Sequence, residues 1–290
     1  VNDIATVRRR YAEMMTSALA RANPRLRDAY ATVPREAFAG PPPWTLLGAG
    51  HRPLRAAHPA ELYQDALIAL DTGKGVNNGS PSLHAAMLDL LDVRAGDQVL
   101  HVGTGGGYYT ALLAELAGPD GAVTGVEFDH RLAGMARDNL RPWPWVRLVH
   151  GDGAAFPTGP TQRIYVSFAL ADPADPWLDM LTLGGRLVFP LGVADPRAPA
   201  SEQRHSARAA VLAVTRTPDG FDARFDGPVA FICAEGPASG DTATRAALFA
   251  AFRQGGLDSV RSLHRGAGPD GRTWFSSARW SLATDPPGQA

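Results

Sequence analysis

The sharpest chemical signal in the chain is the run Val99-Leu100-His101-Val102 leading into Gly103-Thr104-Gly105-Gly106-Gly107-Tyr108, with a helical segment directly after it. Glycines let a backbone turn tightly and approach a ligand with no Cβ in the way, and open α/β sheets bind ligands at the carboxyl ends of their strands. Such loops also serve simply to pack a helix on a strand, so the loop alone does not decide. Two further features join it. Glu127 ends the next β-type run, AVTGVE, where a carboxylate can accept both hydroxyls of an adenosine ribose, and Phe128 beside it offers a flat face to an adenine. Gly151-Asp152-Gly153 follows the third run, with an Asp that can reach the adenine amino group while the glycines keep the backbone close. Taken singly, Glu127 and Asp152 read as helix caps; in order on successive strand ends, they favour a nucleoside ligand.

The loop fits GxGxG and not the dinucleotide pattern GxGxxG, whose third glycine would fall on Tyr108. No Gly-Lys-Ser or Gly-Lys-Thr closes a glycine-rich loop, and Gly73-Lys74-Gly75 lacks both the hydroxyl residue and a preceding strand, which argues against a nucleoside triphosphate. The eight histidines show no metal-ligand spacing, so no metal site is expected. Cys233, in an apolar run, reads as core, and His84, one turn past Ser80, as a helix histidine with a local hydrogen bond.

The elements that must position these residues alternate along the chain. From Ser80, an N-cap followed by Pro81 in a first helical turn, a helix is predicted with Leu83, Met87, Leu90 and Leu91 on one face. Then QVLHV, YYTALLAELA, AVTGVE, HRLAGMARDNL, VRLVH, RIYVSF and GRLVFPLG alternate β-type with helical text, the pattern of an α/β fold with a mostly parallel sheet and helices on both faces. Before this lies an amphipathic helix expected to run from Ile4 to near Asn23-Pro24, and a Pro- and Gly-rich stretch from Val33 to Asn78 expected as a loop-rich cap with short helices. After it, AAVLAVTRT and FDARF joined by Pro218-Asp219-Gly220, with PVAFIC following, predict an antiparallel hairpin on the sheet edge. The last part holds one helix, TRAALFAAFRQ, stopped by Gly255-Gly256, and two strand-like runs around VRSLHR and WFSSARWSL. The expected division is residues 1–90 as an N-terminal helical cap with a substrate loop, 91–233 as the cofactor-binding core, and 234–290 as a small α+β C-terminal extension.

Of the 290 residues 45% are hydrophobic and 20% charged, as in a folded globular protein. A formal net charge of −1 gives no broad basic field, so neither nucleic acid nor an anionic membrane surface is an expected partner. One cysteine excludes an intrachain disulfide, and the opening VNDIATVRRR reads as a helix start and not as a signal peptide; a cytoplasmic location is expected.

The runs VPREAF, LYQDALIAL, the loop ending in Ser80-Pro81, LLDVRAGDQVLHVGTGGGYYTALLAELAGPDGAVTGVE, HGDG and LTLGGRLVFPLG resemble, in order and spacing, the protein-L-isoaspartate O-methyltransferases over roughly residues 33 to 233. The resemblance implies a Rossmann-like methyltransferase fold with an antiparallel last strand. It also implies S-adenosylmethionine as cofactor and a protein or peptide acceptor with an exposed carboxylate. By the same resemblance Gly103, Thr104, Gly105 and Gly107 line the methionine and ribose part of the cofactor, Glu127 and Phe128 hold ribose and adenine, and Asp152 with Gly153 closes the adenine end. Asn77, Asn78 and Ser80 position the acceptor, with Ser80 also near the cofactor. Two positions depart from the family. Gly79 stands where it usually has serine, with a hydroxyl only at Ser80, and His101 replaces the acidic residue that supports the cofactor's ammonium. Facing the cofactor, His101 would make its binding fall on acidification; turned into the packing, it would have no such part. A methyltransferase for another peptide or small-molecule acceptor, and a nonenzymatic cofactor-binding module, are the alternatives; the oligomeric state is not legible.

Overall fold

The computed structural model describes residues 3–48, 53–199, 203–234, 239–269 and 271–288. They form two compact units, Val1–Gly153 and Ala154–Ala290.

In the first unit, α1 (Ile4–Thr16) buries Tyr11, Ala12 and Met15, the expected stripe. It stops earlier than expected, because the hydroxyls of Thr16 and Ser17 take the carbonyls of Ala12 and Met14. Asn23 then caps a second helix, α2 (Pro24–Thr32), by accepting from the Leu26 N–H, with Pro24 in the first turn where its missing N–H is harmless. Residues 33–78 hold two short helices, Arg35–Phe38 and Pro59–Leu62, as expected, and strands that were not expected. Four short strands, β1 (Trp44–Leu47), β2 (Leu54–Ala56), β3 (Leu67–Asp71) and β4 (Val76–Asn77), form an antiparallel sheet in the order β2-β1-β3-β4. Trp44, Leu46, Ala56, Leu62 and Ile68 bury one another in a small core of their own.

α3 (Pro81–Leu91) starts at Ser80 as expected, the Ser80 hydroxyl accepting from the Leu83 N–H. Then follow β5 (Gln98–Val102), α4 (Tyr108–Ala117), β6 (Ala122–Glu127), α5 (His130–Asn139) and β7 (Val146–His150). The three strands are parallel in the order β5-β6-β7, with Val102 beside Val126 and Glu127 beside His150. The glycine loop, Glu127 and the Gly-Asp-Gly turn therefore leave from one edge of the sheet. Side-chain bonds tie the start of α2 to α3 and α4: Asn23 donates to Asp89 at 2.7 Å, and Arg25 to the carbonyls of Val93 and Leu116.

In the second unit β8 (Thr161–Val166) and β9 (Leu181–Val193) are parallel, with α6 (Asp175–Asp179) between them in sequence. β10 (Arg208–Thr217) and β11 (Gly220–Pro228) form the expected hairpin through Pro218-Asp219. α7 (Thr242–Gln254), capped by Asp241, ends at Gly255 as expected, and β12 (Ser262–Arg265), β13 (Thr273–Ser276) and β14 (Trp280–Ala283) complete the chain. The order is β13-β14-β12-β11-β10-β9-β8. Two expectations change. The hairpin is not on an edge, since β12 pairs with β11. PVAFIC is not a strand: β11 ends at Pro228, and Ile232 and Cys233 form only isolated bridges. The parallel strands with their helices, continued by antiparallel ones, make the mixed α/β class that the alternation predicted.

Candidate active site

The glycine loop is held open by the acid on the neighbouring strand. Gly105 adopts φ 55°, a left-handed conformation that costs a glycine little, and its N–H donates to Glu127 Oε2 at 2.7 Å. The N–H of Asp129 donates to Oε1 at 2.9 Å. Glu127 is only 8% exposed, and burial raises its pKa while the Asp129 and Gly105 amides pull it back. Beside it the backbone is crowded. A Cβ on Gly106 would lie 2.8 Å from the Phe38 carbonyl oxygen, and one on Gly153 would lie 2.1 Å from the Val102 side chain. Gly103 and Gly107 also have positive φ, and Gly107 is the N-cap of α4. The Thr104 side chain is buried, and its Oγ1 makes no hydrogen bond. Phe128 is 68% exposed, an open aromatic face next to the carboxylate, and Asp152 is exposed ahead of the buried Gly153.

His101 lies elsewhere. Its ring is wholly buried, Nδ1 is 2.8 Å from Thr110 Oγ1 of α4, and burial lowers its pKa to about 3. Of the two expected orientations the structure takes the one inside the packing, against Thr110 of α4, where burial disfavours the charged imidazolium. β5 is buried on both faces after Gln98, so an inward ring is where a strand side chain goes.

The expected acceptor loop is fixed by bonds that the sequence does not announce. Asn78 Oδ1 accepts from the Ile68 N–H at 2.6 Å, and Asn77 Oδ1 from the Gly79 N–H at 2.9 Å. Ser80 donates its proton to Asp65 at 2.9 Å while its oxygen receives the Leu83 N–H. Ser82 also bonds Asp65, through its N–H at 3.2 Å and its hydroxyl at 2.5 Å. The Ser80 hydroxyl thus serves as the cap of α3 and is bonded to a carboxylate. Behind Asp65, the buried Arg35 guanidinium donates to the carbonyls of Leu62, Gln64 and Ala66, clamping the turn that carries it. Gly79, at φ 74°, has the His84 ring where a Cβ would be, 2.2 Å from Nε2. That ring stacks on Tyr109 at 3.6 Å, joining the loop to the start of α4. Asp65, Arg35 and His84 as a support were not legible, because their partners are backbone groups or distant rings.

The tip of the β3–β4 hairpin approaches the same edge. Leu70 Cδ1 lies 3.5 Å from where a Gly105 Cβ would be. Lys74 pairs with Asp129 at 2.5 Å, and Arg131 with Asp71 at 3.3 Å and with the Leu70 carbonyl at 3.0 Å. Hydrogen bonding to Lys74 holds the Asp129 carboxyl below its ordinary range. Among the described residues no grouping of His, Cys, Asp and Glu could hold a metal ion, and no helix is long and apolar enough to cross a membrane.

Comparison with known proteins converges on one family. The profile described as Protein-L-isoaspartate(D-aspartate) O-methyltransferase matches residues 51–214. A protein-L-isoaspartate O-methyltransferase of Aeropyrum pernix is 38% identical over 176 residues, 59% of this chain and 61% of that protein. The chain thus spans about three fifths of the length of this relative. Among solved structures, one protein-L-isoaspartate O-methyltransferase superposes with a TM-score of 0.63 over 96% of this chain and 88% of its own, at 18% identity. A second, from Plasmodium falciparum and in complex with S-adenosyl-L-homocysteine, gives 0.60 over 79% and 98%, at 16% identity. These two likenesses establish the Rossmann-like methyltransferase fold. The profile match spans more than half of the chain, which therefore belongs to the protein-L-isoaspartate(D-aspartate) O-methyltransferase family.

Proposed function

We propose that the chain binds S-adenosylmethionine at the Glu127 edge and methylates a carboxylate of a protein or peptide acceptor, an isoaspartyl group first among them. The observation that carries this is the Glu127 carboxylate, nearly buried at a parallel strand end and bonded to the Gly105 N–H of the glycine loop. The residues present fit the cofactor. Thr104 Oγ1 is a buried polar atom without a hydrogen bond, and at Gly106 and Gly153 a Cβ would collide with the walls. Glu127 would accept from ribose hydroxyls, Phe128 face the adenine, and Asp152 take its amino group, with Gly103, Gly105 and Gly107 along the rest. When bound, the cofactor supplies an electrophilic methyl group on a sulfonium. A carboxylate is ionised near neutral pH, so the protein needs no general base; it holds the acceptor oxygen in line and excludes water. No proton transfer would be asked of the protein's own groups.

A second reading, transfer to another peptide or small-molecule acceptor, is favoured by one observation: residue 79 has no side chain, and the Ser80 hydroxyl is committed to Asp65. The nonenzymatic alternative loses its motive, since His101 sits in the packing. The lone Cys233 suits a cytoplasmic setting. Labelled methyl transfer to an isoaspartyl peptide beside its normal aspartyl twin tests the proposal. Transfer to the isoaspartyl peptide alone is the expected result; robust transfer to some other acceptor, with none to either peptide, would install the second reading.

A further inference from the structure

We infer that Asn139 of α5 is a positioning residue for the cofactor: its carboxamide sets the conformation in which the glycine loop receives S-adenosylmethionine. This rests on the cofactor reading above. Asn139 Nδ2 donates to the Gly106 carbonyl at 2.9 Å, and the amide is turned that way by necessity, because a carbonyl oxygen only accepts. The bond completes a set that runs through the loop. The Gly105 N–H donates to Glu127 Oε2 at 2.7 Å, and the Gly107 N–H donates to the Thr104 carbonyl at 2.9 Å. The peptide joining Thr104 to Gly105 is thus bonded at both its C=O and its N–H, and so is the peptide joining Gly106 to Gly107. The Gly105–Gly106 peptide is carried between these two, so its turning is limited by Glu127 on one side and by Asn139 on the other.

The surroundings leave that carbonyl to Asn139. Ala136, Asn139 and Leu140 share one face of α5 by helical spacing. A Cβ on Gly107 would lie 3.2 Å from Leu140 Cδ1 and 3.5 Å from Ala136 Cα, so the two residues beside Asn139 meet the loop with carbon atoms. Gly106 is wedged more tightly. A Cβ there would lie 2.8 Å from the Phe38 carbonyl oxygen, in the short helix Arg35–Phe38, and 3.0 Å from Met135 Cε. Gly106 is buried, the Phe38 oxygen is itself an acceptor, and Met135 brings a methyl group, so none of these neighbours can donate to the Gly106 oxygen and Asn139 does. A buried carbonyl left unmet is costly, and the loop can relieve it only by turning the Gly106–Gly107 peptide. That turn would draw the Gly107 N–H off Thr104 and disturb the backbone bonded to Glu127, whose carboxylate the proposed function gives to the ribose. Asn139 thereby acts on the cofactor through the loop.

Asn139→Asp keeps the shape and makes the donor titratable. Ionised, the substituted carboxyl sets an oxygen against the Gly106 oxygen; protonated, its O–H can donate there again. Calorimetric titration of S-adenosylhomocysteine into the folded wild type and the folded variant, at several pH values between about 4.5 and 8, reads the ratio of the two affinities. Glu127, and Arg137, Asp138 and Arg141 beside Asn139, are common to both proteins and cancel from that ratio. Near neutral pH the variant should bind roughly five- to 150-fold more weakly, and the ratio should narrow as pH falls toward the carboxyl range. A bond that only stabilises α5 would lower the melting temperature and leave the affinities equal. Equal affinities at every pH, or a deficit that does not change with pH, would overturn the inference and leave the proposed function standing. If the variant does not fold, hydrogen exchange in the nitrogen-labelled wild-type protein decides. Saturation with S-adenosylhomocysteine should slow exchange at the Asn139 side-chain amide and at the Gly107 N–H, since a ligand that selects the bonded loop must protect the bonds that define it. Exchange unchanged at both would overturn the inference. A wild-type protein that binds no S-adenosylhomocysteine removes the cofactor reading itself, and this inference with it.

Discussion

Glu127→Gln is the substitution that asks most of the proposed site. The native carboxylate accepts two backbone N–H bonds, from Gly105 at 2.7 Å and Asp129 at 2.9 Å, while nearly buried. An amide of the same shape has one oxygen, so it satisfies one N–H and sets its own NH2 against the other. A hydrogen bond to a charged group is worth about 1.5–3 kcal/mol, and the loss falls on the glycine loop that must receive the cofactor. S-adenosylhomocysteine should therefore bind roughly ten- to 150-fold more weakly, read by calorimetry. The pH dependence carries a second mark. Burial raises the Glu127 pKa, whereas ribose hydroxyls donate to the charged form, so wild-type affinity should fall as pH drops through that raised value, and Glu127→Gln should lack this titration. For the ligand-free fold the sign is reversed. The group's contribution to stability is fullest below its ordinary value of 4.5 and is lost as pH rises through the folded value. Equal affinities with parallel pH profiles in the two proteins would refute the assignment of Glu127 to the cofactor.

Other expectations concern the supports. His101→Val leaves the buried Thr110 hydroxyl without its ring partner and should cost about 1–3 kcal/mol in urea unfolding, without changing the pH profile of cofactor affinity between about 5.5 and 7.5, roughly the range of a free imidazole. Burial holds the pKa of both His84 and His101 well below the ordinary 6.5, so stability present above 6.5 should be lost progressively as pH falls below it; thermal melts of His101→Val should show the shallower pH dependence. Gly79→Ala meets the His84 ring at a positive φ and should cost about 1–3 kcal/mol, partly recovered when combined with His84→Ala; an additive double-mutant cycle would show that the ring is not the obstacle. Arg35→Met strips the donors from the carbonyls of Leu62, Gln64 and Ala66 and should lower unfolding stability by about 3 kcal/mol or more; a smaller loss would mean that water replaces the guanidinium.

What could be read from the sequence was what local chemistry marks. The glycine loop, the acid at the end of β6, the Ser80-Pro81 helix start and the turn at Pro218-Asp219 each need particular residues at particular positions, and each is where those residues place it. The strands between 44 and 77 are two to five residues long, too short for a period of two to show against loop text. β12 to β14 became a continuation of the sheet only through pairing with β11, Asp222 with Ser262, a long-range match that no local pattern encodes. The orientation of His101 was not legible because in a strand buried on both faces alternation says nothing about which side holds a ligand. Arg35 and Asp65 bond largely to backbone or to short hydroxyl side chains, and such partners leave no spacing to recognise.

Ionic strength should act unevenly on this edge of the sheet. The Lys74–Asp129 and Arg131–Asp71 pairs that fasten the hairpin tip have largely exposed cations, with side-chain exposures of 58% and 53%, and added salt screens such pairs. The bonds beneath them, from Gly105 and Asp129 to Glu127, are too buried for ions to reach. A rise in salt thus loosens the roof while the floor keeps its shape, and the tip of the β3–β4 hairpin is where hydrogen exchange should first register it.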